Sequence, residues 1–264
     1  MHGTAYANKA LVDCDLVMSV GSRFDDRIIG KAPLFCRDAV RIHIDIDPSE
    51  FGRMIQCDHY CQGDAKIVLE RLLEHVGELN TKKWLTTLDG YKRRYPLTYK
   101  KRGGLKMQQI LDTLNTMTGG DAIMVTDVGQ HQMRTAQAYP FQKPGRWLTS
   151  GGLGTMGFGI PAAIGAALAE PDATVLCFTG DGSLMMNIQE LATAMEQNVN
   201  LKIILMNNNS LGLVRQQQDL FFGKRYFASD YSWQVDFVRI AQGFGMAAYD
   251  LDNSNDPENI LAQA

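Results

Sequence analysis

The stretch Gly180–Asn209, GDGSLMMNIQELATAMEQNVNLKIILMNNN, decides how the chain is read. It is entered by the apolar run Thr174–Thr179 and contains a second such run, Leu201–Met206. Runs of this length and β-branched content predict strands buried on both faces, as in a parallel sheet. Between them, Leu184, Ile188, Leu191, Ala192 and Met195 recur at helical spacing and predict a helix over 184–196. A strand–helix–strand unit is right-handed and leaves both strand ends on one edge, about 4.8 Å apart if the strands are neighbours. Asp181 and Asn208, 27 positions apart, then converge beside a helix N-terminus that favours an anion. Two hard oxygens without thiolate or imidazole suit Mg²⁺, which commonly keeps phosphates in its shell. Glycines on both sides of Asp181 let a diphosphate approach the backbone. GDGS alone also fits a plain strand-to-helix turn; both halves together, in strand contexts at this spacing, favour the site.

Bulk properties narrow the partners. The 264 residues suffice for one large or two ordinary domains, and 45 % hydrophobic with 21 % charged residues is ordinary for a globular chain. A net charge of −3 and the lack of a long basic run give no reason to expect a nucleic-acid partner. No apolar stretch reaches membrane-spanning length and no signal pattern opens the chain, so a cytoplasmic location without a membrane span is expected. Five scattered cysteines argue against a disulfide framework. Cys57 and Cys61 lack a second ligand pair at zinc spacing.

The rest of the chain reads as two α/β segments. Residues 1–78 carry strands at Asp15–Val20 and Ala39–Asp45 and an amphipathic helix at Ala65–Val76, a pattern like part of a Rossmann-type nucleotide-binding domain. Residues 79–103, polar and basic with Pro96 and Gly103-Gly104, read as a helical linker. Residues 104–264 predict a helix at Met107–Met117, strands at Ala122–Thr126 and near Trp147, and helices at Pro161–Leu168 and Phe237–Gly243. The chain opens as though in mid-domain and stops inside a helical pattern.

Several motifs together resemble the catalytic large subunit of acetohydroxyacid (acetolactate) synthase. They are VGQHQM (Val128–Met133), SGGLGTMGFGIPAAIGA (Ser150–Ala166), GDGS and NNNSLGLVRQQQ (Asn207–Gln218). MHGT, VGSRFDDR, HIDIDP and GDA resemble the middle domain of the same family, and GLVRQQQDLFF is most like its bacterial isozyme I type. The resemblance covers essentially the whole chain. It implies an α/β thiamine-diphosphate-binding domain preceded by part of an FAD-binding middle domain. Mg²⁺ would be held by Asp181, Asn208 and the Ser210 carbonyl. Thiamine diphosphate would be held by Gln130, His131, Gly154, Met156, Gly182, Ser183, Gly212 and Leu213, with Met156 under the thiazolium ring. A structural FAD would be lined by His2, Gly21, Arg23, Asp25, Arg27, Asp45, Ile46, Gly63, Asp64 and Ala65. Guanidinium groups suit a diphosphate, although RFDDR also fits a surface ion-pair cluster.

The implied reaction is decarboxylation of pyruvate and condensation with a second 2-oxoacid, in branched-chain amino-acid biosynthesis. The products are 2-acetolactate or, from 2-oxobutyrate, 2-aceto-2-hydroxybutyrate. The family's catalytic glutamate belongs to an N-terminal domain outside this sequence, so the chain alone is expected to bind cofactor weakly and to be inert. A homodimer and a small regulatory subunit are implied partners. Gln217 stands where the family commonly has a tryptophan shaping the acceptor pocket. A flexible amide gives no rigid apolar wall, and one methylene is worth about 1–3 kcal/mol at best, so little preference for 2-oxobutyrate is expected. Other readings are a pyruvate oxidase, a 2-oxoacid decarboxylase or a non-catalytic cofactor-binding fragment. A NAD dehydrogenase is disfavoured because no G-x-G-x-x-G follows a first strand.

Overall fold

The computed structural model describes residues 3–99 and 104–264. The chain divides into two compact units, Met1–Thr98 and Tyr99–Ala264. Both are α/β with parallel sheets.

The first unit runs α1 (Ala5–Asp13), β1 (Leu16–Val20), α2 (Asp26–Ile29), β2 (Val40–Asp45), β3 (His59–Gln62), α3 (Ala65–Leu73) and α4 (Lys82–Arg94). Its sheet has the order β1-β2-β3, all parallel, with Val20 beside Ile44 and Asp45 beside Gln62. The expected strands form within one residue of their predicted bounds. β3 is an addition: four residues with little alternation give no strand signal, and Cys61 of the Cys57/Cys61 pair sits within it. The core is built on Phe24, Ile29, Phe35, Cys36, Ala39 and Ile55. The helix in the 79–103 stretch packs on α1, where the Tyr91 hydroxyl donates to Asp13 Oδ2 (2.5 Å). Its basic end, Lys92-Arg93-Arg94, complements the helix dipole.

The second unit runs α5 (Met107–Met117), β4 (Ile123–Thr126), α6 (Gln130–Ala138), β5 (Trp147–Thr149), α7 (Gly159–Ala169), β6 (Val175–Gly180), α8 (Asp181–Leu184) and α9 (Glu190–Glu196). β7 (Leu201–Met206), α10 (Gly212–Phe221), α11 (Phe237–Gly243) and α12 (Pro257–Gln263) complete it. The strand order is β5-β4-β6-β7, all parallel. Side chains alternate across a strand, so β6 serves two cores. Val175 and Cys177 pack with Ile160, Ala163 and Ala167 of α7 on one face. Leu176 and Phe178 pack with Ile110, Leu111 and Leu114 of α5 on the other. This covered sheet explains why both strand runs are apolar without alternation.

Two expected elements differ. The helix expected over Ala65–Val76 ends at Leu73. The predicted 184–196 helix is two helices, α8 and α9, separated by turns with i→i+3 bonds such as Asn187 N–H to Leu184 O (3.3 Å) and Glu190 N–H to Asn187 O (3.0 Å). Within this break the Asn187 amide donates to the Gly157 carbonyl (2.7 Å), a partner outside the helix.

Leu111 is fully buried between α5 and the sheet. Leu111→Ala should therefore lower stability by roughly 2–5 kcal/mol, read as a lower urea midpoint with an unchanged slope.

Candidate functional site

The parallel register sets Gly180 beside Met206, so the chain leaves β6 and β7 side by side. Asp181 follows at once and is buried. Asp181 Oδ2 and Asn208 Oδ1 both accept from one donor, the Ser210 N–H, at 3.2 and 3.1 Å. The two oxygens that the sequence reading pairs are thus within reach of a single hydrogen. Asp181 Oδ1 accepts from the Gly182 N–H (2.8 Å), and Asn208 Oδ1 also accepts from the Ser210 hydroxyl (3.1 Å). Asn208 itself is exposed, so the pair forms a hard-oxygen wall with one side open.

Around this pair the backbone is approached too closely for side chains. A Cβ on Gly182 would lie 2.5 Å from Tyr231 Oη and 2.7 Å from Leu211 Cδ2. One on Gly212 would lie 2.6 Å from both Asn208 Nδ2 and Gln130 Oε1. Only glycine lets these side chains close onto the backbone at the two positions. Gln130 donates to Gln216 Oε1 (2.7 Å), which joins the start of α6 to α10. Ser183 donates to the Val128 carbonyl (3.3 Å). His131 is buried, and its Nε2 has no hydrogen-bond partner among the described residues.

The glycine passage before α7 is fastened by a residue that the sequence reading did not single out. Asp127, fully buried, accepts from Val128 N–H (2.8 Å) and Gly157 N–H (2.9 Å) through Oδ1 and from Gly159 N–H (2.9 Å) through Oδ2. Three donors offset the desolvation of this carboxylate. No local pattern reveals it, because two of its partners lie about thirty residues on. Gln130, His131, Gly154, Met156, Asp181, Gly182, Ser183, Asn208, Ser210, Gly212 and Leu213 all line one cleft of about 1500 Å³. Gln217 does not. It is exposed on α10, and its neighbour Gln216 is the one that meets Gln130.

Residues 127–264 match the model of the thiamine pyrophosphate enzyme C-terminal TPP-binding domain, and residues 1–72 match that of the central domain. The chain belongs to the thiamine pyrophosphate enzymes. It is 49 % identical over 264 residues to the acetolactate synthase isozyme 1 large subunit of Escherichia coli, and 40 % identical over 272 residues to the isozyme 3 large subunit. All of the chain is covered in both cases, against 47 % of each relative. The acetolactate synthase large subunit of Lactococcus lactis is 42 % identical over 256 residues, 96 % of this chain and 44 % of that protein. The chain spans slightly less than half the length of these relatives.

A thiamine pyrophosphate enzyme needs donors for an anion and hard oxygens for its cation, and the second unit carries both. The His131 nitrogen and the polar lining of the cleft could receive an anion, and the Asp181 and Asn208 oxygens could hold a cation. The fit therefore rests on the residues present.

In the first unit the residues expected around a flavin nucleotide share the C-terminal edge of the sheet, where nucleotides bind in such folds. Gly21 follows β1 and donates to the Ile44 carbonyl (2.9 Å). Asp45 and Ile46 end β2, and Gly63 donates to the Asp45 carbonyl (3.0 Å) ahead of Asp64 and Ala65. Two of the acids also cap helices. Asp25 caps α2 by accepting from Arg27 and Ile28 N–H (3.0 and 3.2 Å), and Asp64 caps α3 by accepting from Lys66 and Ile67 N–H (2.9 and 3.1 Å). Arg23 lies 3.8 Å from Asp25, and Arg27 is exposed beside Asp26 (3.6 Å). Ile46 is exposed, and His2 lies outside the described residues. His43, not singled out from the sequence, is buried edge-on between Phe24 and Phe51, its Nε2 3.6 Å from Asp45 Oδ2.

Burial pushes the His131 imidazole down to about 4, against the smaller opposing pull of Asp127, so the ring is neutral at physiological pH. The unfolded chain takes up this proton near 6.5 and the folded chain only near 4. His131 should thus cost no stability above about pH 6.5 and up to about 3 kcal/mol as pH falls toward 4. Urea midpoints of wild type and His131→Gln, compared at about pH 7 and about pH 4.5, should show a steeper acid loss in wild type.

Proposed function

We propose that this chain holds Mg²⁺ and thiamine diphosphate at the β6–β7 edge as the cofactor-binding part of an acetolactate synthase catalytic subunit. The observation that carries the proposal is the convergence of Asp181 and Asn208 oxygens on one hydrogen at the edge of the cleft. Asp181, Asn208 and the Ser210 carbonyl would hold the cation. The Ser210 carbonyl is left out of the short bridge to the 229–231 segment, which uses the carbonyls of Asn209 and Ser229. The backbones of Gly182 and Gly212, with Ser183, Leu213, Gln130 and the neutral His131, would receive the diphosphate. Gly154 and Met156 line the same cleft, and Met156 would lie under the thiazolium ring. Bound there, thiamine diphosphate supplies the electron sink for decarboxylating a 2-oxoacid.

The likeness of the whole chain to part of acetolactate synthase large subunits supports pyruvate as donor, with pyruvate or 2-oxobutyrate as acceptor, and a transferase that forms the new carbon–carbon bond. Gln217 stays a proposal for the acceptor side. The C-terminal edge of the first sheet supports FAD as a structural cofactor on Gly21, Arg23, Asp25, Arg27, Asp45, Ile46, Gly63, Asp64 and Ala65. A homodimer and a small regulatory subunit complete the proposed assembly. Among the described residues no helix is long and apolar enough to cross a membrane.

Titration calorimetry with thiamine diphosphate at saturating Mg²⁺ tests the reading. Wild type should bind, and Asp181→Ala, which removes the buried cation oxygen, should bind more than tenfold more weakly. Equal affinity in the two proteins would overturn it.

A further inference from the structure

Beyond α10 the chain turns back along the helix. Gln218 donates to the Phe227 carbonyl (2.9 Å) and accepts from the Ser229 hydroxyl (2.8 Å). Arg215 pairs with Asp230 (2.7 Å), and its guanidinium lies 4.3 Å from the centre of the Tyr226 ring. The returning segment then bridges the cation loop. Leu211 N–H donates to Ser229 O (2.7 Å), and Tyr231 N–H donates to Asn209 O (2.9 Å). This bridge fixes the Tyr231 backbone directly beside Asn208–Ser210.

The Tyr231 side chain reaches from there over the cradle. Its Oη stands 2.5 Å from where a Cβ on Gly182 would lie. No protein group among the described residues hydrogen-bonds that hydroxyl. Asp181 is close enough to act on it by charge, but both carboxylate oxygens are engaged by the N–H groups of Gly182 and Ser210. A phenol keeps its proton at neutral pH, so the hydroxyl is a donor. A donor set against the Gly182 backbone beside two hard oxygens, with no protein acceptor of its own among the described residues, is suited to a phosphate oxygen.

We infer that Tyr231 is a further cofactor-binding residue, its hydroxyl donating to a diphosphate oxygen above Gly182. The inference rests on the Mg²⁺–thiamine diphosphate reading of this cleft. It also explains the segment along α10, since Arg215 and Gln218 set the tyrosine at the rim of the site before any ligand arrives.

Tyr231→Phe removes one oxygen and leaves the backbone bridge intact. Thiamine diphosphate and, separately, inorganic diphosphate should be titrated at saturating Mg²⁺ into the full chain and the variant, with urea midpoints as the folding control. The variant should bind both ligands roughly tenfold more weakly at an unchanged midpoint. Affinities within about twofold of wild type, or a loss confined to thiamine diphosphate, would overturn the Tyr231 contact and leave the cofactor reading standing. A wild-type chain that binds neither ligand would overturn both.

Discussion

The parallel pairing of β6 with β7 is the constraint on which the candidate site depends. It places the residues after Gly180 and after Met206 at one edge, and it does so through backbone bonds that six buried β6 residues shield from water. Convergence of Asp181 and Asn208 therefore needs no special contact between their side chains. The Ser210 N–H, shared by both, only fixes their final aim. A register slip of one residue would turn every β6 side chain to the opposite core. The two helix layers on either face of the sheet thus hold the site as firmly as they hold the fold.

Around that edge, buried polar groups carry the geometry. Asp127 clamps the 157–159 backbone and its own strand end with three accepted bonds, and Asn187 reaches Gly157 from the other side. The glycine passage is therefore fixed from both β4 and the α8–α9 turn. Removing Asp127 would leave three inward-facing N–H groups to be satisfied, each costing about 1–3 kcal/mol. His131 differs in kind, since its neutral Nε2 is buried without a partner among the described residues. A cost of that sort is tolerated where a ligand will complete the bond.

Much of this was legible in the sequence because it depends on period and order. The apolar runs at Thr174–Thr179 and Leu201–Met206 and the spacing over Met107–Met117 became β6, β7 and α5 with shifts of at most one residue. What could not be read depends on partners far along the chain. The expected 184–196 helix is interrupted around Asn187, whose amide bonds to a carbonyl thirty residues earlier. Asp127 looks like any strand-end acid until Gly157 and Gly159 are folded onto it. Helix phase hid another point: resemblance singles out Gln217, whereas the rotation of α10 turns Gln216 toward Gln130 and leaves Gln217 exposed. In the first unit, Asp25 and Asp64 carry both a proposed flavin role and an N-cap, and the sequence alone could not separate the two.

A crystal structure of the chain grown with Mn²⁺ and thiamine diphosphate tests the central claim most directly, because the anomalous signal of the metal locates it independently of the fold. The peak should lie about 2.0–2.3 Å from a side-chain oxygen of each of Asp181 and Asn208, with diphosphate over Gly182 and Gly212. Cofactor bound in the cleft with the metal peak away from both oxygens would contradict the account.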